Sequence, residues 1–123
     1  MERLQKLLKG NGTFSAGSGL ILLAGSPWLD ATFGLQAWLL AVVGVGLIAY
    51  GIQIFRMASP ASAIAGGKFA TAMDLGWVLG AVLILLAFPT AMTAAGRVAL
   101  LLATLVVAGL AAGQATALRR VAA

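Results

Sequence analysis

Residues 69–88 read FATAMDLGWVLGAVLILLAF. That is the length an α-helix needs to cross the hydrocarbon core of a bilayer, roughly 20 apolar residues. One charged side chain, Asp74, interrupts the run. The apolar residues are continuous and do not alternate with polar ones as barrel strands do, so a membrane-spanning helix is expected. Working outward, residues 14–33, 35–55 and 98–118 have the same character. The links are short. Pro27 and Asp30 mark the first, Ser59-Pro60 and Gly66-Gly67 the second, Pro89 and Gly96 the third. Short links make consecutive helices antiparallel neighbours. The expected fold is an all-α membrane protein. It is one domain over residues 1–123, with four transmembrane helices at approximately 14–33, 35–55, 69–88 and 98–118 in an up-down-up-down bundle.

Composition agrees with that expectation. Of 123 residues, 62% are hydrophobic and 9% charged, and the mean hydropathy is +1.06. Soluble domains run at roughly 45–50% apolar and about 25% charged, and a soluble domain this small cannot hide so much apolar surface. The chain has no Cys and no His. Disulfides, thiolate zinc sites, His-ligated haem and a Ser–His–Asp triad are thereby excluded. The acids are Glu2, Asp30 and Asp74 alone, too few for a dedicated magnesium or calcium cage. A non-enzymatic protein with no metal and no cofactor is expected.

Charge sets the orientation. Arg3, Lys6 and Lys9 precede the first run, Arg56 and Lys68 lie in the second link, and Arg119 and Arg120 follow the fourth run. Placing both termini in the cytoplasm puts these basic residues inside and leaves Arg97 outside, which the positive-inside rule favours. The net charge of +5 therefore points to anionic headgroups and not to nucleic acid. The expected location is a bacterial inner membrane. Trp28 and Trp38 read as interfacial belt residues, and Trp77 as a residue packed in the bundle. Met1–Lys9 reads as an amphipathic anchor, with Leu4, Leu7 and Leu8 on the bilayer. A cleavable signal peptide ending near Ala24 and Ser26 is the competing reading of the first run, disfavoured by Pro27 and by the three spans that follow.

Asp74 is the sharpest functional candidate. It lies about six residues into the third run, roughly 9 Å from the cytoplasmic boundary. Intramembrane carboxylates face a bundle interior or a water-filled cavity. Asn11, Ser15 and Ser18 fall on one face of the first helix together with Leu22 and Gly25. Tyr50 and Gln53 lie at similar depth on the second helix, Gln114 and Thr116 on the fourth, and Thr71 and Trp77 flank Asp74 on its own. Polar side chains in a membrane seek each other, so a cytoplasmic-half cluster centred on Asp74 is expected. Two readings of it stand: a set of hydrogen bonds that fixes helix register, or a vestibule for an ion or small solute. Asp74→Asn should preserve folding under both. Gly76-x-x-x-Gly80 and Gly109-x-x-x-Gly113 are close-packing motifs that serve internal packing or self-association equally well. Gly44-Val-Gly46-Leu-Ile-Ala49 mimics a dinucleotide fingerprint but lies inside an apolar run, where no phosphate site can form.

The two hairpins share a pattern. Leu20-Ile-Leu-Leu-Ala24 recurs as Leu83-Ile-Leu-Leu-Ala87, followed by Pro27 and Pro89, Gly34 and Gly96, then Gln53 and Gln114 ahead of basic ends. Asn11 and Asp74 stand nine residues before each repeat start. The pattern reads as two tandem hairpin repeats of parallel orientation.

Asn11 with Phe14-Ser15-Ala16-Gly17-Ser18-Gly19, Asp74-Leu-Gly-Trp77-Val and the ending Gln114…Leu118-Arg-Arg120 resemble a group of small four-helix bacterial inner-membrane proteins of unknown function. The resemblance spans nearly the whole chain and implies a four-helix bundle but no activity. Small fluoride channels and small multidrug transporters have similar length and helix count. This chain lacks the Asn-rich motifs of the former and the mid-helix-one glutamate of the latter. The function expected is an accessory or interaction subunit, binding itself or a larger membrane complex in the lipid bilayer. The alternative is a small transporter or channel built around Asp74.

Overall fold

The computed structural model describes residues 1–88 and 90–122. All its regular structure is helical: α1 (Glu2–Phe33), α2 (Ala37–Arg56), α3 (Ala63–Ala87) and α4 (Ala94–Ala122). Three of them, α2, α3 and α4, are long and apolar enough to cross a membrane. α1 is the longest helix at 32 residues, but Asn11, Ser15, Ser18, Ser26 and Asp30 dilute its apolar character.

α1 departs from expectation at both ends. Met1–Lys9 is no separate anchor. Leu4 and Leu8 are fully buried in a core cluster with Ile54, Ala58, Ala63, Ala70 and Ala117, and Leu7 packs against it. Nor does Pro27 end the helix. A proline inside a helix cannot donate to the carbonyl four residues back. Here that carbonyl, of Leu23, accepts instead from the Ser26 hydroxyl at 3.1 Å. The turn comes at Gly34, whose φ of 72° is the left-handed conformation that glycine tolerates. The Gly34 and Leu35 amides both donate to the Asp30 carbonyl, at 2.9 and 3.1 Å.

The later links also shift. Gly66 and Gly67 are buried within α3, not in a loop. Each makes room for a neighbour: Met57 and Leu8 crowd Gly66, and Leu118 and Leu4 crowd Gly67. Gly96 is in the first turn of α4 against the Phe33 carbonyl. Pro89, expected to mark that link, lies outside the described residues. Thr93 organises the link instead. Its hydroxyl accepts from the Gly96 amide at 3.1 Å, the N-cap bond of α4, and donates to the Thr32 carbonyl, while its own amide donates to the Phe33 carbonyl at 3.1 Å.

α1 and α2 meet through a glycine seam. Gly12 faces Gly51 and Gly19 faces Gly44, so the two helices run antiparallel. Glycines seven residues apart recur on one face of each helix. A Cβ on Gly51 would stand 2.5 Å from the Gly12 carbonyl oxygen, and one on Gly44 2.6 Å from that of Gly19. The backbones are in contact and no larger residue fits. The core cluster lies at one end, where the starts of α1 and α3 meet the ends of α2 and α4. Arg3, Lys6, Lys9, Arg56, Lys68, Arg119 and Arg120 belong to the same end. Leu20, Ile21, Leu79, Leu86 and Leu105, among many other large apolar side chains, are exposed.

Candidate functional site

Next to the apolar core sits a buried polar cluster to which every helix contributes. Asp74 stands near the middle of α3, because that helix begins at Ala63 and not at Phe69. It is about 16 Å from the α3 start at 1.5 Å per residue. The residue is 4% exposed. Oδ2 accepts from Asn11 Nδ2 of α1 at 2.9 Å and from Gln114 Nε2 of α4 at 3.1 Å. Oδ1 accepts from the Tyr50 hydroxyl of α2 at 3.0 Å. One carboxylate thus holds a donor from each of the other three helices.

The donors are bound to one another as well. Asn11 Nδ2 also donates to Gln114 Oε1 at 2.8 Å, closing a ring of Asp74, Asn11 and Gln114. Asn11 Oδ1 accepts from the Ser15 hydroxyl at 3.1 Å. Gln114 Nε2 reaches Thr71 Oγ1 at 3.4 Å, and the Tyr50 hydroxyl lies 3.4 Å from the Ala70 carbonyl. An amide nitrogen has two protons and a hydroxyl one. Every such proton of Asn11, Gln114, Tyr50 and Ser15 therefore has an acceptor. Gln114 is fully buried and Asn11 is 1% exposed. The Tyr50 ring packs on Phe69, centroids 6.0 Å apart.

The expected cluster is thus partly assembled. The structure brings Asp74, Asn11, Ser15, Tyr50, Gln114 and Thr71 together. It does not bring in Ser18 or Gln53. Ser18 is half-buried and joins none of these hydrogen bonds, and Gln53 is exposed. Thr116 is exposed and its hydroxyl bonds back to Ala112 of its own helix. Asn11 and Asp74, which the hairpin pattern aligns, are hydrogen-bonded partners, whereas Gln53 and Gln114 differ entirely in environment. Trp77 is half-buried, and its indole nitrogen is buried with no acceptor among the described residues.

The glycine motifs also fall differently from one of their expected uses. A Cβ on Gly76, Gly80 or Gly109 would meet nothing within 4 Å, and one on Gly113 would meet only Leu7 at ordinary contact distance. They do not draw helices together within the chain; that role belongs to Gly12, Gly19, Gly44 and Gly51. The heptad spacing of those four was visible in the sequence. Among the described residues no group of three His, Cys, Asp or Glu side chains gathers.

Compared with known proteins, the chain matches no family model, no curated protein sequence and no solved structure.

Proposed function

We propose that this chain is a multi-pass protein of a bacterial inner membrane that acts without catalysis as an accessory or interaction subunit. All four helices cross the bilayer in up-down-up-down order, with both termini cytoplasmic. The glycine seam supports the fourth crossing: a helix in backbone contact with the spanning helix α2 shares its depth. The basic residues at one end of the bundle support the orientation through the positive-inside rule.

The observation that carries the reading is the closed hydrogen-bond set around Asp74. In lipid, apolar contact does not distinguish a neighbouring helix from an acyl chain, so packing and buried polar bonds fix helix register. A carboxylate with one donor from each other helix locks four helices at once. The result is a rigid body with a lipid-facing surface, suited to holding a partner in the membrane, whether a second copy or a larger complex. Purification from native membranes in mild detergent tests this. Co-migration with a membrane complex or as a homo-oligomer is expected. A lone chain that catalyses proton-dependent flux in liposomes overturns it.

A small transporter or channel for an ion or small solute is the second reading. The hydroxyls of Ser15, Tyr50 and Thr71 and the amides of Asn11 and Gln114 gathered near Asp74 favour it. Flux that Asp74→Asn abolishes in folded protein would establish it.

A further inference from the structure

We propose that the cleft between the start of α3 and the end of α4 binds one phospholipid with an anionic headgroup. Ile64 and Lys68 of α3 and Leu118 and Arg119 of α4 line a groove of about 240 Å³. Ile64 and Lys68 are one turn apart, so both face the same side. Leu118 is drawn inward over Gly67, where a Cβ would stand 3.0 Å from its methyl carbon, and it forms an apolar floor. Lys68 and Arg119 stand exposed on either side.

These two cations have no carboxylate partner among the described residues. No acid among the described residues is left to offer them. Glu2 pairs with Lys6 at 3.4 Å, Asp30 lies at the other end of α1, and Asp74 is enclosed in its network. With no acid among the described residues to neutralise them, the two cations call for an anion from outside, and the groove lies at the basic end, where headgroups meet the bundle in the orientation proposed above. The apolar wall then selects a lipid over a free anion. From Lys68 the same face of α3 continues through Ala72 and Gly76, both exposed. Nothing stands within 4 Å of a Cβ on Gly76. This row of small residues leaves a shallow track from the cation pair toward the middle of the bilayer, where an acyl chain lies.

Native mass spectrometry of the full chain, released from micelles doped with phosphatidylglycerol or phosphatidylcholine, tests the proposal. One phosphatidylglycerol per chain is expected to be retained in preference to phosphatidylcholine, and inorganic phosphate should not displace it. The double variant K68Q/R119Q should weaken retention about thirty-fold, as two interfacial cations contribute. The variant R3Q/K9Q removes the same charge from the same end and should change it by less than about threefold, since neither residue lines the groove and exposed charges off it are screened. K68R/R119K keeps both charges and should retain the lipid. Equal losses in both charge-removing variants, or displacement by inorganic phosphate, would overturn the site. The proposal rests on the membrane reading but fails separately from it. A chain that stays with carbonate-washed membranes yet retains both lipids alike refutes the site alone. A chain that washes off refutes the membrane reading.

Discussion

Replacing Asp74 in two ways separates its shape from its chemistry. Asp74→Leu deprives three donors of their acceptor: Asn11 Nδ2, Gln114 Nε2 and the Tyr50 hydroxyl. Interhelical hydrogen bonds in membranes contribute about 0.6 kcal/mol each on average, which gives about 2 kcal/mol for three. Buried donors left wholly unsatisfied would cost more, at about 1–3 kcal/mol each. The lower figure applies because Asn11 and Gln114 keep their bond to each other, and Tyr50 keeps the Ala70 carbonyl within 3.4 Å. Asp74→Asn is different. Its remaining oxygen can stay on the Asn11 and Gln114 side, with its new amide facing Tyr50. The Tyr50 hydroxyl then accepts from that amide and turns its proton to Ala70. Every donor of the parent set keeps an acceptor and only the second proton of the new amide is left over, so the expected cost is about 1 kcal/mol, below that of the Leu variant. Reversible unfolding in mixed micelles, followed by circular dichroism, measures both. An Asn variant as unstable as the Leu variant, or a Leu variant as stable as the parent, would refute the lock.

Other substitutions probe the parts around it. Gly51→Ala should destabilise by about 1–3 kcal/mol through overpacking of the seam, whereas Gly46→Ala, where a Cβ meets nothing, should stabilise by up to about 1 kcal/mol through helix propensity. The same unfolding titration reads the pair. Thr93→Val removes the cap of α4 and a tie to the end of α1. A loss of about 1 kcal/mol is expected, with faster amide exchange confined to the first turn of α4. Trp77→Phe deletes an indole N–H that has no acceptor among the described residues. Stability should hold or rise, since an unsatisfied buried donor costs about 1–3 kcal/mol; a clear loss would mean that the nitrogen has a partner.

The sequence carried the polar cluster well where chemistry left one solution. Tyr50, Asp74 and Gln114 sit in apolar runs and Asn11 shares a helix face with Ser15, and buried polar groups require partners. It carried Gln53 and Ser18 poorly because depth alone does not fix rotation. Rotation was set by glycine. With Gly12 and Gly19 turned onto Gly51 and Gly44, Ser15 faces the cluster while Ser18 is half-buried outside its hydrogen bonds, and Gln53 is exposed next to the buried Ile54. The governing spacing was seven, not the four of Gly76-x-x-x-Gly80. Proline misled for a local reason. Pro27 marks a turn only if its orphaned carbonyl must find water, and Ser26 removes that need. The N-terminal leucines misled because an amphipathic face does not say whether lipid or protein will cover it; Gly66 and Gly67 provided a protein surface for Leu8 and Leu4.

The lock and the ion site make opposite demands on Gln114. As folded, the amide nitrogens of Asn11 and Gln114 point their protons at Asp74. A cation needs oxygens there, so both amides would have to flip and the Asn11–Gln114 bond would break. Gln114→Glu tests this directly. It replaces a donor 3.1 Å from Asp74 Oδ2 with a second carboxylate, and two like charges this close destabilise each other. If the network is a lock, the variant is destabilised at neutral pH by more than Gln114→Leu, and added sodium or magnesium does nothing beyond ordinary screening. If the cluster is built to hold a cation, the paired carboxylates make a better site, and one of those ions restores stability at concentrations too low to screen. Unfolding titrations of the variant in sodium, magnesium and choline salts at equal ionic strength decide between them. Ion-specific rescue would overturn the accessory-subunit reading in favour of a cation site at Asp74.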